Sequence, residues 1–133
     1  MRDKTLWLEF VPLLYYGPKV EMTARTTRDG TRLCLGLDYA ILAQIYDLTE
    51  FGRPAPTVET HPLPPNYELE VYGRAVREMT RTDSFGKPLR FAYARDLAKV
   101  MIPPDSTGFF EKAIFAMIKE LPGDIPIVLY VHD

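Results

Sequence analysis

The apolar positions of this chain come in blocks whose spacing changes several times, and each block predicts an element. Leu6 to Val11 (LWLEFV) carries the large apolar and aromatic types that suit a pleated surface, and Pro12 closes it by withholding a ladder donor. A strand is expected there. Lys19 to Leu37 is centred on Asp29-Gly30, a dipeptide that accepts the positive φ angles of a type I′ hairpin turn. A two-residue loop pairs Arg28 with Thr31, Ala24 with Leu35 and Met22 with Leu37. Opposed residues share a face, so Met22, Ala24, Leu33, Leu35 and Leu37 form an apolar side, and Glu21, Thr23, Arg25, Thr27 and Arg32 a polar one.

Asp38 is placed to cap a helix over residues 39–50, where Ile41, Leu42, Ile45 and Leu48 fall on one stripe before Gly52 and Pro54 stop it. Residues 53–66 read RPAPTVETHPLPPN, whose prolines fix extended backbone and exclude a regular ladder. A loop of this length is either functional or a surface strap. Tyr67 to Tyr72 (YELEVY) fits an edge strand or a helical turn, and the aromatic stretch Leu89 to Tyr93 runs into helical spacing at Leu97, Val100 and Met101. A stronger helix is predicted over 107–121, with Phe110, Ala113, Ile114, Met117, Ile118 and Leu121 as its apolar stripe. Ile127 to Val131 (IVLYV) is apolar on both alternations, as a strand covered on both faces is, and belongs at the sheet centre. The elements make an α+β fold: a mainly antiparallel sheet of about four to five strands with the two main helices, 38–50 and 107–121, packed on one face.

Composition narrows the class. With 133 residues and 47% hydrophobic content the chain can bury a core as a single domain over 1–133, which excludes global disorder. Sixteen Lys and Arg against 18 Asp and Glu leave a net charge of −2, so no general attraction to nucleic acid is expected. One cysteine excludes an internal disulfide framework and a thiolate zinc site. Glu9 and Pro12 interrupt the first apolar stretch, unlike a signal peptide, and no run spans a bilayer. A cytoplasmic protein without a membrane partner is expected.

The usual catalytic signatures are missing. Cys34 has no histidine near it in sequence, Ser84 lies in TDSFGK and not in a G-x-S-x-G elbow, and the glycines form no phosphate cradle. His61 finds no third metal ligand at a useful spacing. No catalytic residue, metal or cofactor is therefore expected. The informative cluster is basic: Arg25, Arg28 and Arg32 on the hairpin, then Arg74, Arg77, Arg81, Lys87, Arg90 and Arg95, interleaved with Tyr67, Tyr72, Phe85, Phe91 and Tyr93. Arginine offers a planar fork to phosphate, and the aromatic rings offer stacking surfaces. The ligand-binding set expected from this pattern is Arg25, Arg32, Arg95, Tyr93 and Phe91. The plain alternative is that these arginines pair with surface acids and keep the sheet soluble.

Four short pieces carry a resemblance: Asp38-Tyr39-Ala40-Ile41-Leu42-Ala43, Leu63-Pro64, Phe91-Ala92-Tyr93 with Asp96-Leu97, and Val128 to Asp133. Over about residues 36–133 the chain resembles a family of small phage-encoded proteins, although Gln44-Ile45-Tyr46 and Asp83-Ser84-Phe85 depart from that family's pattern. The resemblance implies a viral accessory protein acting in a bacterial cytoplasm. The combined expectation is a non-catalytic binding protein, a phage counter-defence factor that captures an anionic, nucleotide-type ligand. Two other classes stay open: an inhibitor that covers a host enzyme with exposed aromatics and the Pro-rich loop, and a small hydrolase or nuclease. The partner is thus a nucleotide-like small molecule or a host protein, and self-association as a homo-oligomer is compatible with either.

Overall fold

A computed structural model describes residues 5–10, 31–36, 39–63, 67–73, 76–103 and 109–132. In chain order its elements are β1 (Thr5–Phe10), β2 (Thr31–Gly36), α1 (Tyr39–Leu42), a 3-10 turn (Thr49–Phe51), β3 (His61–Pro62), β4 (Leu69–Gly73), β5 (Val76–Thr80), β6 (Arg90–Tyr93), α2 (Ala94–Leu97), α3 (Phe109–Glu120) and β7 (Pro126–His132). The class is α+β. Five strands in the order β2-β1-β7-β6-β3 form one antiparallel sheet, and β4 pairs with β5 in a separate two-stranded sheet.

The composition of β7 explains its central place. Ile127, Leu129 and Val131 join a cluster with Leu42, Leu97, Phe115 and Ile118 from the helical segments, whereas Val128, on the other alternation, packs with Leu63, Tyr67, Leu69, Val71 and Phe91. Two apolar layers therefore cover one strand, and each fully buried side chain of this size stabilises the fold by about 1.5–3 kcal/mol. Tyr67 to Tyr72, ambiguous in sequence, supplies β4 and with it part of the second layer.

The helix expected over 38–50 is one turn long. Beyond α1, the Gln44 carbonyl accepts the amides of Thr57 (3.1 Å) and Val58 (2.9 Å) across the Pro-rich segment, which takes it out of helical bonding. The Asp47 carboxylate then accepts the amide (2.9 Å) and hydroxyl (2.6 Å) of Thr49, a local closure that competes with the helix. Gly52 ends the 3-10 turn at φ 81°, a conformation that favours glycine. The apolar stripe survives without the helix, since Ile41, Leu42, Ile45 and Leu48 are all buried.

The second helix, expected over 107–121, is α3; of the expected stripe Ile118 is buried and Ile114 and Leu121 pack partly buried against the core, but the buried face is shifted toward Phe115. Phe115 and Ile118 lie in the core, while Ala113 and Met117 are exposed, because rotation toward Phe115 buries a whole aromatic ring. The Pro-rich segment also yields a ladder where none was expected: β3 pairs with β6, His61 opposite Phe91. Pro62 is tolerated because this strand is the sheet edge, where a missing donor costs little. Of the Asp29-Gly30 hairpin only residues 31–36 are described; they form β2, whose described partner is β1, and the turn, residues 19–30, lies outside the described residues. No described helix is long and apolar enough to cross a membrane.

Candidate functional site

One carboxylate shapes the turn between β5 and β6. Asp83 is buried; its Oδ1 accepts the amides of Phe85 (2.8 Å) and Lys87 (3.0 Å), and its own amide donates to the Lys87 carbonyl (2.8 Å). Gly86, at φ 80°, closes the loop. Ser84, a turn serine as its motif implies, donates its hydroxyl (3.1 Å) and amide (3.2 Å) to the Val131 carbonyl, which ties the turn to β7. The remaining Asp83 oxygen, Oδ2, accepts the Tyr46 hydroxyl at 2.7 Å and so joins the turn to the segment after α1.

Between these anchored pieces lies a cavity of about 350 Å³. Ile45, Leu129, Val131, Pro56 and Pro88 give it apolar walls, and Thr60, Tyr46, Asp47, Asp83, Lys87 and Arg90 its polar groups. Lys87 holds its ammonium 4.8 Å from the Tyr46 ring centroid, 3.2 Å from the Asp47 carbonyl and 3.6 Å from Glu50. Arg90 stands opposite Leu129 in the β6–β7 ladder. Its Nε donates to the Thr60 hydroxyl (2.7 Å) and its Nη2 to the Thr60 carbonyl (2.8 Å), and among the described residues it has no carboxylate partner. Its side chain is thus aimed by neutral oxygens.

The electrostatics follow from the geometry. Burial, then the hydrogen bond to Asp83 and the surrounding carboxylates, pushes the Tyr46 hydroxyl well above the usual tyrosine range. Tyr130 is also raised, first by burial and then by the charges of Asp83 and Glu78. The hydrogen bonds from Thr49 hold the Asp47 carboxyl below its ordinary value.

Of the residues expected from sequence, Phe91, Tyr93 and Arg95 are placed elsewhere. Arg25 lies outside the described residues. Arg32 begins a register row that crosses all five strands, from Arg32 through Glu9, Val128 and Phe91 to His61. Phe91 is 5% exposed and belongs to the core beside β4, so its ring is occupied by packing. Tyr93 meets the Phe91 ring edge-on at 5.5 Å, and Arg95 sets its guanidinium 4.4 Å over the Tyr93 ring. Arg95, Tyr93 and Phe91 are thus brought together, but none of these three lines the cavity. Lys87 and Arg90 were visible only as members of the basic series. Tyr46 and Asp83, 37 positions apart, carried no joint signal beyond the Asp-x-x-Gly spacing of a turn.

Comparison of the chain with family models, with curated proteins and with solved structures gives no match.

Proposed function

We propose that the protein is a non-catalytic binding protein that captures a small anionic ligand of the nucleotide type in the cavity walled by Tyr46, Lys87 and Arg90. The observation that carries this reading is Arg90, a guanidinium without a carboxylate partner among the described residues, held at the wall of a cavity with both apolar and polar lining. The volume falls in the range of small-molecule sites. Ile45, Leu129 and Val131 suit a flat apolar moiety, and Arg90 and Lys87 suit phosphate oxygens. The two lining carboxylates oppose an anion less than free ones would, because Asp83 already accepts two amides and a phenol and Asp47 accepts the amide and hydroxyl of Thr49. The hydroxyl of Tyr46 stays protonated and is committed to Asp83, so it serves as a wall and not as a base. The resemblance to phage proteins supports placing this capture in a viral accessory role.

A thermal-stability screen against a nucleotide panel tests the reading, because a ligand that binds only the native state raises the melting temperature by mass action. One nucleotide should stabilise the protein, and Arg90→Ala should weaken its binding at least tenfold, as expected for the loss of a charge-assisted contact of about 1.5–3 kcal/mol. A panel without effect, or a nucleotide that binds Arg90→Ala as tightly as wild type, would overturn it. The inhibitor reading is favoured by one separate observation, the exposure of Met101 (76%) and Phe109 (85%), and it requires recovery of a single host protein that Phe109→Ser no longer retains.

A further inference from the structure

On either side of Thr60 the chain presents Glu59 and His61, and the fold carries Asp96, from the single turn of α2, to meet them. The carboxylate oxygens and imidazole nitrogen of these three residues lie within 4.8 Å of one another, with His61 Nε2 4.0 Å from Glu59 Oε1. We propose that Glu59, His61 and Asp96 bind one divalent transition-metal ion of the zinc type at the β3 edge of the sheet, a site that does not depend on the cavity or its ligand.

The donor set selects the metal. One imidazole and two carboxylates are three protein ligands of the kind that hold zinc with a fourth position left to water or substrate, whereas calcium takes six to eight oxygens and magnesium a near-octahedral shell of them. Metal–ligand bonds of about 2.0–2.2 Å require donor atoms about 3.3–3.5 Å apart, so the three groups need only contract by an ångström or so.

The parts are held to allow that. His61 is fixed by its pairing opposite Phe91, and its ring lies 5.2 Å from that of Phe91 and 5.3 Å from that of Tyr93. Asp96 is fixed because the flanking helix turn is pinned to the chain before β7 by the bonds of Ala94 to the Ile125 carbonyl (2.9 Å) and Arg95 to the Gly123 carbonyl (3.0 Å). Glu59, with 73% of its side chain exposed, supplies the adjustable arm.

Charge gives an independent reason. The Asp96 side chain is only 12% exposed, and burying a carboxylate without a firm partner is costly. Among the described residues its one cationic partner is Lys99, 3.4 Å away on a side chain that is 75% exposed. Such a lysine is easily displaced, and a divalent ion neutralises Asp96 and Glu59 together.

Chelator-stripped protein titrated with zinc chloride provides the test. Calorimetry should find one tight zinc per chain, with His61→Gln, Asp96→Asn and Glu59→Gln each weakening it at least tenfold while circular dichroism stays that of wild type. In the unmutated chain, zinc should shift the imidazole proton resonances of His61 at one equivalent, which keeps the test independent of how the variants fold. Absence of zinc binding, equal affinity in the three variants, or a zinc-induced shift at His132 in place of His61 would overturn the proposal.

Discussion

Replacing Tyr46 with Phe deletes one oxygen and keeps the ring over which Lys87 stands, so the substitution removes the bond of the hydroxyl to Asp83. That bond, 2.7 Å to Asp83 Oδ2, joins the segment after α1 to the turn before β6. Hydrogen bonds to charged groups contribute about 1.5–3 kcal/mol. Asp83 keeps its two amide donors, at 2.8 and 3.0 Å, so the carboxylate is not stranded and the low end of that range applies. We expect Tyr46→Phe to lower stability by about 1.5 kcal/mol, a fall of roughly 5 °C in melting temperature for a chain of this size. Urea unfolding of wild type, Tyr46→Phe, Asp83→Asn and the double variant measures the pair directly, and a coupling energy of about 1 kcal/mol is expected. Additive single effects, or a Tyr46→Phe protein within about 0.3 kcal/mol of wild type, would show that the two segments are not held together by this contact.

Three further outcomes follow from the same geometry. Gly86→Val should destabilise by about 1 kcal/mol or more in the same urea assay, because a β-branched residue resists positive φ even though the space around Gly86 is open; an unchanged midpoint would mean that the turn is not formed as described. Tyr46 and Tyr130 have hydroxyls whose titration is raised by folding, so the stability they lend is complete below the ordinary tyrosine range near pH 10 and is lost as pH rises beyond it. The urea midpoint should therefore fall between pH 9 and pH 11, less steeply in Tyr46→Phe, and a midpoint that rises would contradict the assignment. Val128→Thr keeps the shape but places a hydroxyl in the layer formed with Tyr67 and Leu69, at a cost of about 1–3 kcal/mol; a neutral effect would show that this face of β7 is wet.

How much of this was legible depended on the range of the interactions involved. IVLYV announced a strand covered on both faces, and β7 is the central one, because an apolar residue on both alternations has few other uses. The stripe Ile41, Leu42, Ile45 and Leu48 was legible as core but not as its conformation. The bonds that break the helix, from Thr57 and Val58 to Gln44 and from Thr49 to Asp47, compete with helical bonding without changing the apolar spacing. The ladder at His61–Pro62 was hidden by its prolines, which argue against a strand everywhere except at an edge. The cavity was the least legible part. Arg90 is aimed by Thr60, 30 positions away, and Tyr46 by Asp83, 37 positions away, and such convergence is fixed by strand pairing and not by any local pattern. The same holds for Asp96, the third donor beside His61 that sequence spacing did not supply.

The most direct measurement of the central claim is an amide nitrogen–proton NMR titration of the full chain with the nucleotide that most raises its melting temperature. Ligand held by Arg90 and Lys87 should shift the resonances of residues 45–47, 60, 83–90 and 129–131 and leave those of β1 and β2 in place. Perturbations confined to β2 and to Arg25, with Lys87 and Arg90 unmoved, would contradict it and return the ligand to the hairpin.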